Sequence, residues 1–216
     1  MAVFKALITF LICYLLGSIS FAVIFSKIAG KDVRGLGSGN AGSTNMLRNF
    51  GFKWALLTFA GDFLKGSLGV FLAGIINAGS PHEAVIKESA VIFLLLGHMK
   101  PVFFSFKGGK GVATGLGALA VVAPKIFLII FVLGFTIAAV SGFVSLAAIS
   151  MSSLYPVMTV LAVVSAGEIK DTGAIIYIAI AFLIGAMILY SHRDNFKRLI
   201  NHEENSIYKK RRASRG

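Results

Sequence analysis

The segment VATGLGALAVVAPKIFLIIFVLGFTIAAV, residues 112–140, decides how this chain is organised. It follows the basic positions Lys100, Lys107 and Lys110 and precedes another apolar run at 143–166. A helix crosses the roughly 30 Å hydrocarbon core of a bilayer with about 20 apolar residues, so 112–140 has the length of one generous crossing. Parity forbids that reading. A chain that leaves the basic side at 111 must return to it before crossing out again at 143–166, so two passes must share 112–140. Pro124-Lys125 stands where the division is needed, because proline lacks an amide N–H and sits readily at a helix start but not in its interior. Each half is short, and a short pass is tolerated when it is tilted or covered by protein.

Working outward, the runs 4–26, 54–78, 85–97, 143–166 and 173–190 are apolar on the same scale. The 216-residue chain is 56% hydrophobic and 14% charged, outside the range of soluble globular proteins. The expected fold is all-α, a polytopic helical membrane bundle of seven passes, or five passes plus a re-entrant pair. The first run is too long for a cleaved signal, has only Lys5 before it and lacks a small-x-small site, so it is expected to remain as a span.

Lysine and arginine gather in residues 27–53 (Lys27, Lys31, Arg34, Arg48, Lys53), in 98–111, and from 191 to the end, whereas the intervening connections carry only Lys5, Lys87, Lys125 and Lys170. The positive-inside rule places the rich segments in the cytoplasm and the N-terminus outside. The expected organisation is one membrane domain over 1–190 and a cytoplasmic basic tail over 191–216. Within that tail, Lys209 to Arg212 suit a grip on anionic lipid.

Cys13 is the only cysteine, which rules out an intramolecular disulfide and a thiolate cluster. No HExxH or CxxC is present, so neither a metal nor another cofactor is expected. The net charge of +12 comes without any nucleic-acid-binding motif, which leaves anionic lipid and anionic substrates as the expected partners.

The glycines point to the substrate. FKGGKGVATGLG (106–117) and LGSGNAGSTN (36–45) are both expected on the cytoplasmic face. Glycines that adopt positive φ expose successive N–H groups as an anion-binding nest, and a helix start directly after the nest adds unpaired amides and a favourable dipole. Lys107 and Lys110 add point charge to Gly108, Gly109, Gly111 and Thr114. In the other loop Ser38, Asn40, Gly42, Thr44 and Asn45 offer hydrogen bonds, and Arg48 can clamp two phosphate oxygens. Close helix packing is the alternative use of such glycines. A Walker loop does not fit, since Gly111 follows Gly109-Lys110 where Ser or Thr is required.

Past the last run, YSHRDNFKRLINHEEN supplies His192, Arg193, Asn195, Arg198 and Glu204. Asp62 and Lys65 are helix-face neighbours, which reads either as a structural ion pair or as a functional one. His98 is either a base or a hydrogen-bonded helix end, and Ser145 either reaches the pocket or packs between helices.

Together GSGNAGSTNMLR (37–48), GHMKPVFFSFKGGKGVATGLG (97–117), VSLAAIS (144–150) and HRDNFKRL followed by Glu204 resemble the bacterial membrane-bound acyl-phosphate:glycerol-3-phosphate acyltransferase family, in order and spacing along essentially the whole chain. Ser43 stands where that family usually has Ala, and His202 where Gly is common. The resemblance implies a seven-span enzyme of the bacterial plasma membrane. It would move an acyl group from acyl phosphate to the 1-hydroxyl of sn-glycerol 3-phosphate, with lysophosphatidate and phosphate as products. It further implies phosphate-binding roles for Ser38, Asn40, Gly42, Thr44, Asn45, Arg48, Lys107, Gly108, Gly109, Lys110, Gly111 and Thr114, joined by Arg193, Asn195, Arg198 and Glu204. A soluble enzyme that makes the acyl phosphate is a further expected partner.

A mixed anhydride carries a good leaving group, so positioning and charge stabilisation suffice and no acyl-enzyme is required. If a protein base acts, His192 is the first candidate and His98 the second. No histidine has Asp five residues on, which argues against the His-x4-Asp acyltransferases. An organic-phosphate transporter is the rival reading, because intramembrane charges and glycine-broken helices occur there too.

Overall fold

The computed structural model describes residues 2–208, and the polybasic Lys209 to Arg212 lie outside them. All regular structure among the described residues is helical. In chain order the helices are α1 (Ala2–Gly17), α2 (Phe21–Ile28), α3 (Ser43–Phe50), α4 (Phe52–Ile76), α5 (Glu83–Met99), α6 (Val112–Val122), α7 (Pro124–Ser141), α8 (Val144–Ser165), α9 (Thr172–Ser191) and α10 (Arg193–Ile200). Five segments have at least 18 residues and enough hydropathy to cross a membrane: Ala2–Ile28 taken across its break, α4, α7, α8 and α9.

The segment 112–140 divides at Ala123, with Pro124 at the first position of α7. α6 has 11 residues and rises only about 16 Å, roughly half the thickness of a hydrocarbon core. Its burial matches its length. Thr114 to Leu119 are all buried, and α4, α5 and α7 pack around the helix. The approach to α4 is backbone to backbone. A Cβ on Gly66 would strike the Thr114 carbonyl, and one on Gly117 would strike that of Phe63. Small residues let helices in a membrane come this close, so these glycines serve packing.

The run 4–26, read from sequence as one span, is broken. α1 stops at Gly17 and α2 starts at Phe21, with the Ser18 hydroxyl bonded back to the Tyr14 carbonyl at 2.8 Å. Gly17 lies against the backbone of Leu94 in α5, so the chain turns where no side chain fits. The freed Ile19 carbonyl accepts from Lys65 Nζ at 2.6 Å, which satisfies it inside the bundle.

In α8, Pro156 releases the carbonyl of Ser152, and Gly185 of α9 packs directly over it. The core between α5, α6, α8 and α9 holds Leu94, Leu95, Ala118, Tyr155, Ala181 and Ile188. The outer faces keep Leu128, Phe135, Val140, Leu161 and Phe182 exposed, an apolar coat suited to lipid.

Candidate active site

The loop 106–111 enters the site from two strained residues, Ser105 (φ 56°) and Phe106 (φ 57°), and leaves through Gly111 (φ 87°) into the first turn of α6. Gly108 and Gly109 lie flat on the end of α5. A Cβ on Gly108 would collide with the His98 carbonyl, and one on Gly109 with the His98 ring and the Ala41 carbonyl. The Gly109 N–H donates to the His98 carbonyl at 3.1 Å. That amide is therefore spent on fixing the loop, which corrects the picture of an unbroken run of free amides through all the glycines.

Asn45 organises the other loop. Its Nδ2 lies within 2.9–3.2 Å of the carbonyls of Val33, Leu36 and Asn40. Its Oδ1 accepts from the Ser38 N–H and from Asn49. The residue is buried with both polar atoms committed, so it shapes the loop and has no group left for a phosphate. Thr114 is likewise fully buried, its hydroxyl 3.2 Å from His98 Nδ1. Ser38 is exposed, Asn40 and Thr44 are half-buried around Gly42, and Arg34 ties the two loops together by donating to the Phe104 carbonyl at 2.9 Å.

The tail closes over this end. Lys110 Nζ donates to Asn195 Oδ1, Asn195 Nδ2 donates to Glu204 Oε1 at 3.0 Å, and Arg198 Nε donates to Glu204 Oε2 at 2.8 Å. Arg48 donates to the Asn205 carbonyl at 2.7 Å. His202 takes φ 57°, in the left-handed region. It thus supplies the left-handed turn itself, and Glu204 is seated on Asn195 and Arg198 as a result.

Burial, with the positive charge of Arg198 nearby, lowers the Lys110 pKa to about 8. Burial likewise pushes His192 down to about 4, with Lys110 adding to the effect. The His192 Nδ1 is 2.9 Å from the Ile188 carbonyl. A carbonyl only accepts, so Nδ1 carries the proton and Nε2 keeps its lone pair. His192 is thereby a neutral ring with one basic nitrogen. Beside it the Ser191 hydroxyl has two carbonyls within reach of its single proton, that of Ile188 at 2.7 Å and that of Lys110 in the glycine loop at 3.1 Å.

Beneath the loop lies a cluster of which sequence spacing announces only the Asp62–Lys65 pair. Lys65 Nζ is 2.8 Å from Asp62 Oδ1 and 3.0 Å from His98 Nδ1, all within the bundle. Three further candidates stand apart from these contacts. Lys107 is exposed, Arg193 stacks on the Tyr190 ring at 4.5 Å, and Ser145 is buried with its hydroxyl unpaired. Among the described residues no group of His, Cys, Asp and Glu is arranged to hold a metal.

The model of the family described as glycerol-3-phosphate acyltransferase matches residues 7–202. The chain belongs to that family. It is 38% identical over 200 residues to the glycerol-3-phosphate acyltransferase of Aquifex aeolicus, covering 93% of this chain and 98% of the relative. It is 37% identical over 216 residues to that of Clostridioides difficile, covering 98% and 100%. Among solved structures it is similar to PlsY, an integral membrane glycerol 3-phosphate acyltransferase, in its glycerol 3-phosphate form. The TM-score is 0.82 and the identity 36%, over 93% of this chain and 94% of that one. The lysophosphatidic acid form of PlsY matches with a TM-score of 0.80.

Sequence reasoning missed the Arg34 tie, the Asn205 carbonyl and the Ile19 carbonyl, because backbone acceptors leave no trace in residue identity. Asp32, which caps the turn at Val33–Gly35 and pairs with Arg34 at 2.7 Å, was a readable signal for the first.

Proposed function

We propose that this chain transfers a fatty acyl group from acyl phosphate to the 1-hydroxyl of sn-glycerol 3-phosphate, releasing lysophosphatidate and inorganic phosphate. The observation that carries the reading is the continuous chain of contacts from Lys110 through Asn195 and Glu204 to Arg198, with Arg48 bound to the same tail. Cations from three distant segments gather at one end of the bundle, beside a glycine loop that opens a helix. Two phosphorylated substrates need such a place. Membership of a family of glycerol-3-phosphate acyltransferases, and likeness to PlsY in glycerol 3-phosphate and lysophosphatidic acid forms, support the acceptor.

In this reading Lys110, Arg48 and Arg198 hold phosphoryl oxygens, with the amides that begin α6 completing the seat. Ser38, Asn40, Thr44, Lys107 and Arg193 line the approaches, Gly108, Gly109 and Gly111 let the backbone come close, and Asn45 and Thr114 brace the loops. The hydroxyl oxygen attacks the acyl carbonyl, the bond to phosphate breaks, and the hydroxyl proton passes to His192 Nε2 or to phosphate. A weak base suffices because the leaving group is good. No acyl-enzyme and no metal are required.

The enzyme lies in the bacterial plasma membrane with seven crossings (α1 with α2, then α4 to α9), α6 being a short, enclosed one. The N-terminus is outside and the site faces the cytoplasm, where a soluble enzyme delivers acyl phosphate. Residues 1–190 form the membrane domain, and the tail from 191 closes the site.

Purified protein in detergent is given palmitoyl phosphate with and without glycerol 3-phosphate. Phosphate release that depends on glycerol 3-phosphate supports the enzyme. Flux of glycerol 3-phosphate into liposomes without chemistry would instead establish a transporter.

A further inference from the structure

His98 shares its surroundings with two charged side chains of α4, and the geometry dictates which of its nitrogens carries the proton. An ammonium has three donors and no acceptor. Those of Lys65 are met by the Ile19 carbonyl at 2.6 Å, Asp62 Oδ1 at 2.8 Å and His98 Nδ1 at 3.0 Å. Asp62 Oδ1 also faces Nδ1, but at 3.6 Å it is beyond hydrogen-bond length, so the close polar contact of Nδ1 is with the ammonium and Nδ1 is an acceptor. The Thr114 hydroxyl, 3.2 Å away, approaches the same atom. A proton on Nδ1 would face the ammonium directly, so the ring is neutral and its hydrogen sits on Nε2. That nitrogen lies against Gly109, where an added Cβ would come within 2.3 Å of it, and the Ala41 carbonyl borders the same place without a hydrogen bond to the ring. Among the described residues no acceptor meets Nε2, although the side chain is only 5% exposed.

We propose that His98 acts as a hydrogen-bond donor, its Nε2–H directed at a phosphoryl oxygen seated against Gly108 and Gly109, with Lys65 and Asp62 as positioning residues that fix this tautomer. The two histidines of the site then have opposite duties. His192 binds a carbonyl through Nδ1 and keeps a basic Nε2, whereas His98 receives an ammonium at Nδ1 and presents an acidic Nε2. A base at His98 is excluded by the same contact that orients it. The inference rests on the proposed function for the identity of the ligand, but the tautomer is a property of the free protein and can be read without turnover.

The full chain, labelled with ¹⁵N-histidine in detergent, tests the tautomer, with His98→Gln subtracting the His98 signals. The expected result at about pH 8, above the ordinary histidine pKa, is a neutral ring with Nε2–H and unprotonated Nδ1. In Asp62→Asn/Lys65→Met, which removes both charges together, the expected result is loss of that single tautomer. Nδ1–H or an imidazolium in the wild type would overturn the proposal.

The kinetic arm separates donor from base. His98→Gln retains an N–H and is expected to keep kcat within about tenfold, whereas His98→Leu is expected to lose about 10²–10³-fold, the usual cost of one preorganised donor. Equal losses in the two, or none in His98→Leu, would overturn the donor role. If His98→Leu does not fold, His98→Gln decides: loss beyond about 10²-fold in a folded protein would count against it. The KM that rises in His98→Gln identifies which phosphate is held. A wild type without acyl transfer would refute the proposed function and leave the spectroscopic arm to judge the tautomer.

Discussion

Lys110 and Asn195, 85 positions apart in the chain, are joined side chain to side chain, and this bond fastens the glycine loop to the tail. The charge on Lys110 is consequently held in a half-enclosed place, with its pKa lowered to about 8.

That displacement gives activity and stability opposite responses to pH. The folded protein binds the Lys110 proton less tightly than the unfolded chain does, so stability rises as pH increases from about 8 towards the ordinary lysine value. In the proposed role of Lys110 phosphate binding needs the ammonium, so kcat/KM is expected to fall as pH rises through about 8. Lys110→Met is expected to flatten the stability slope and to cost about 10²-fold or more in kcat/KM. Lys110→Arg moves the alkaline fall to higher pH. Thermal melts and initial rates between pH 6.5 and 9.5 check both.

Glu204 is the second fastening. Its carboxylate takes Asn195 on one oxygen and Arg198 on the other. Glu204→Ala leaves both donors without a partner and is expected to cost about 1–3 kcal/mol, measured as a lowered Tm, with activity falling as Lys110 loses its support. Glu204→Gln keeps an acceptor for Asn195 and is expected to fall between the wild type and the alanine variant in both measurements.

His202 holds a left-handed backbone at φ 57° that costs a non-glycine residue about 1 kcal/mol. His202→Gly is expected to raise the melting temperature with kcat unchanged. His202→Val is expected to lower it and to reduce activity, because Glu204 follows two residues later. A valine variant as stable and active as the wild type would show that the turn does not position Glu204.

The close approach of α4 to α6 sets where the glycine loop ends. Gly117→Ala places a methyl on the Phe63 carbonyl and must push α6 away. Gly115→Ala meets only ordinary contacts at 3.4–3.7 Å. The first is expected to lose stability and raise the substrate KM together, and the second to do neither. Melting curves and KM values for the pair report the difference.

Much of this was legible in the residues, and the reasons differ by element. The division at Pro124 follows from parity and from the preference of proline for the first turn of a helix, although Pro156 is accommodated inside α8. The break at Ser18 to Ser20 was not legible, because every residue of 4–26 suits a span and only the contact with Leu94 and the demand of Lys65 for the Ile19 carbonyl interrupt it. Of the motif residues, the structure joins Lys110, Asn195, Glu204, Arg198 and Arg48 by contacts, while Lys107, Arg193 and Ser145 stand apart from them. Their division of labour was not legible: Asn45 and Gly109 look like anion ligands by type, yet their polar groups are used to hold the loops. Lys65 and His98 were each noticed, but 33 positions of chain hide the contact that fixes the histidine.

The central claim, that one pocket seats both phosphorylated substrates for direct acyl transfer, is tested most directly by stoichiometry. Purified wild type and Lys110→Met are incubated with palmitoyl phosphate and glycerol 3-phosphate, with palmitoyl-CoA and palmitoyl-carrier protein as parallel donors, while phosphate and lysophosphatidate are counted together. The account predicts one phosphate per lysophosphatidate from the acyl phosphate alone, and severe loss of both products in Lys110→Met. Phosphate release without lysophosphatidate, or an equal rate from a donor that carries no acyl phosphate, would contradict it.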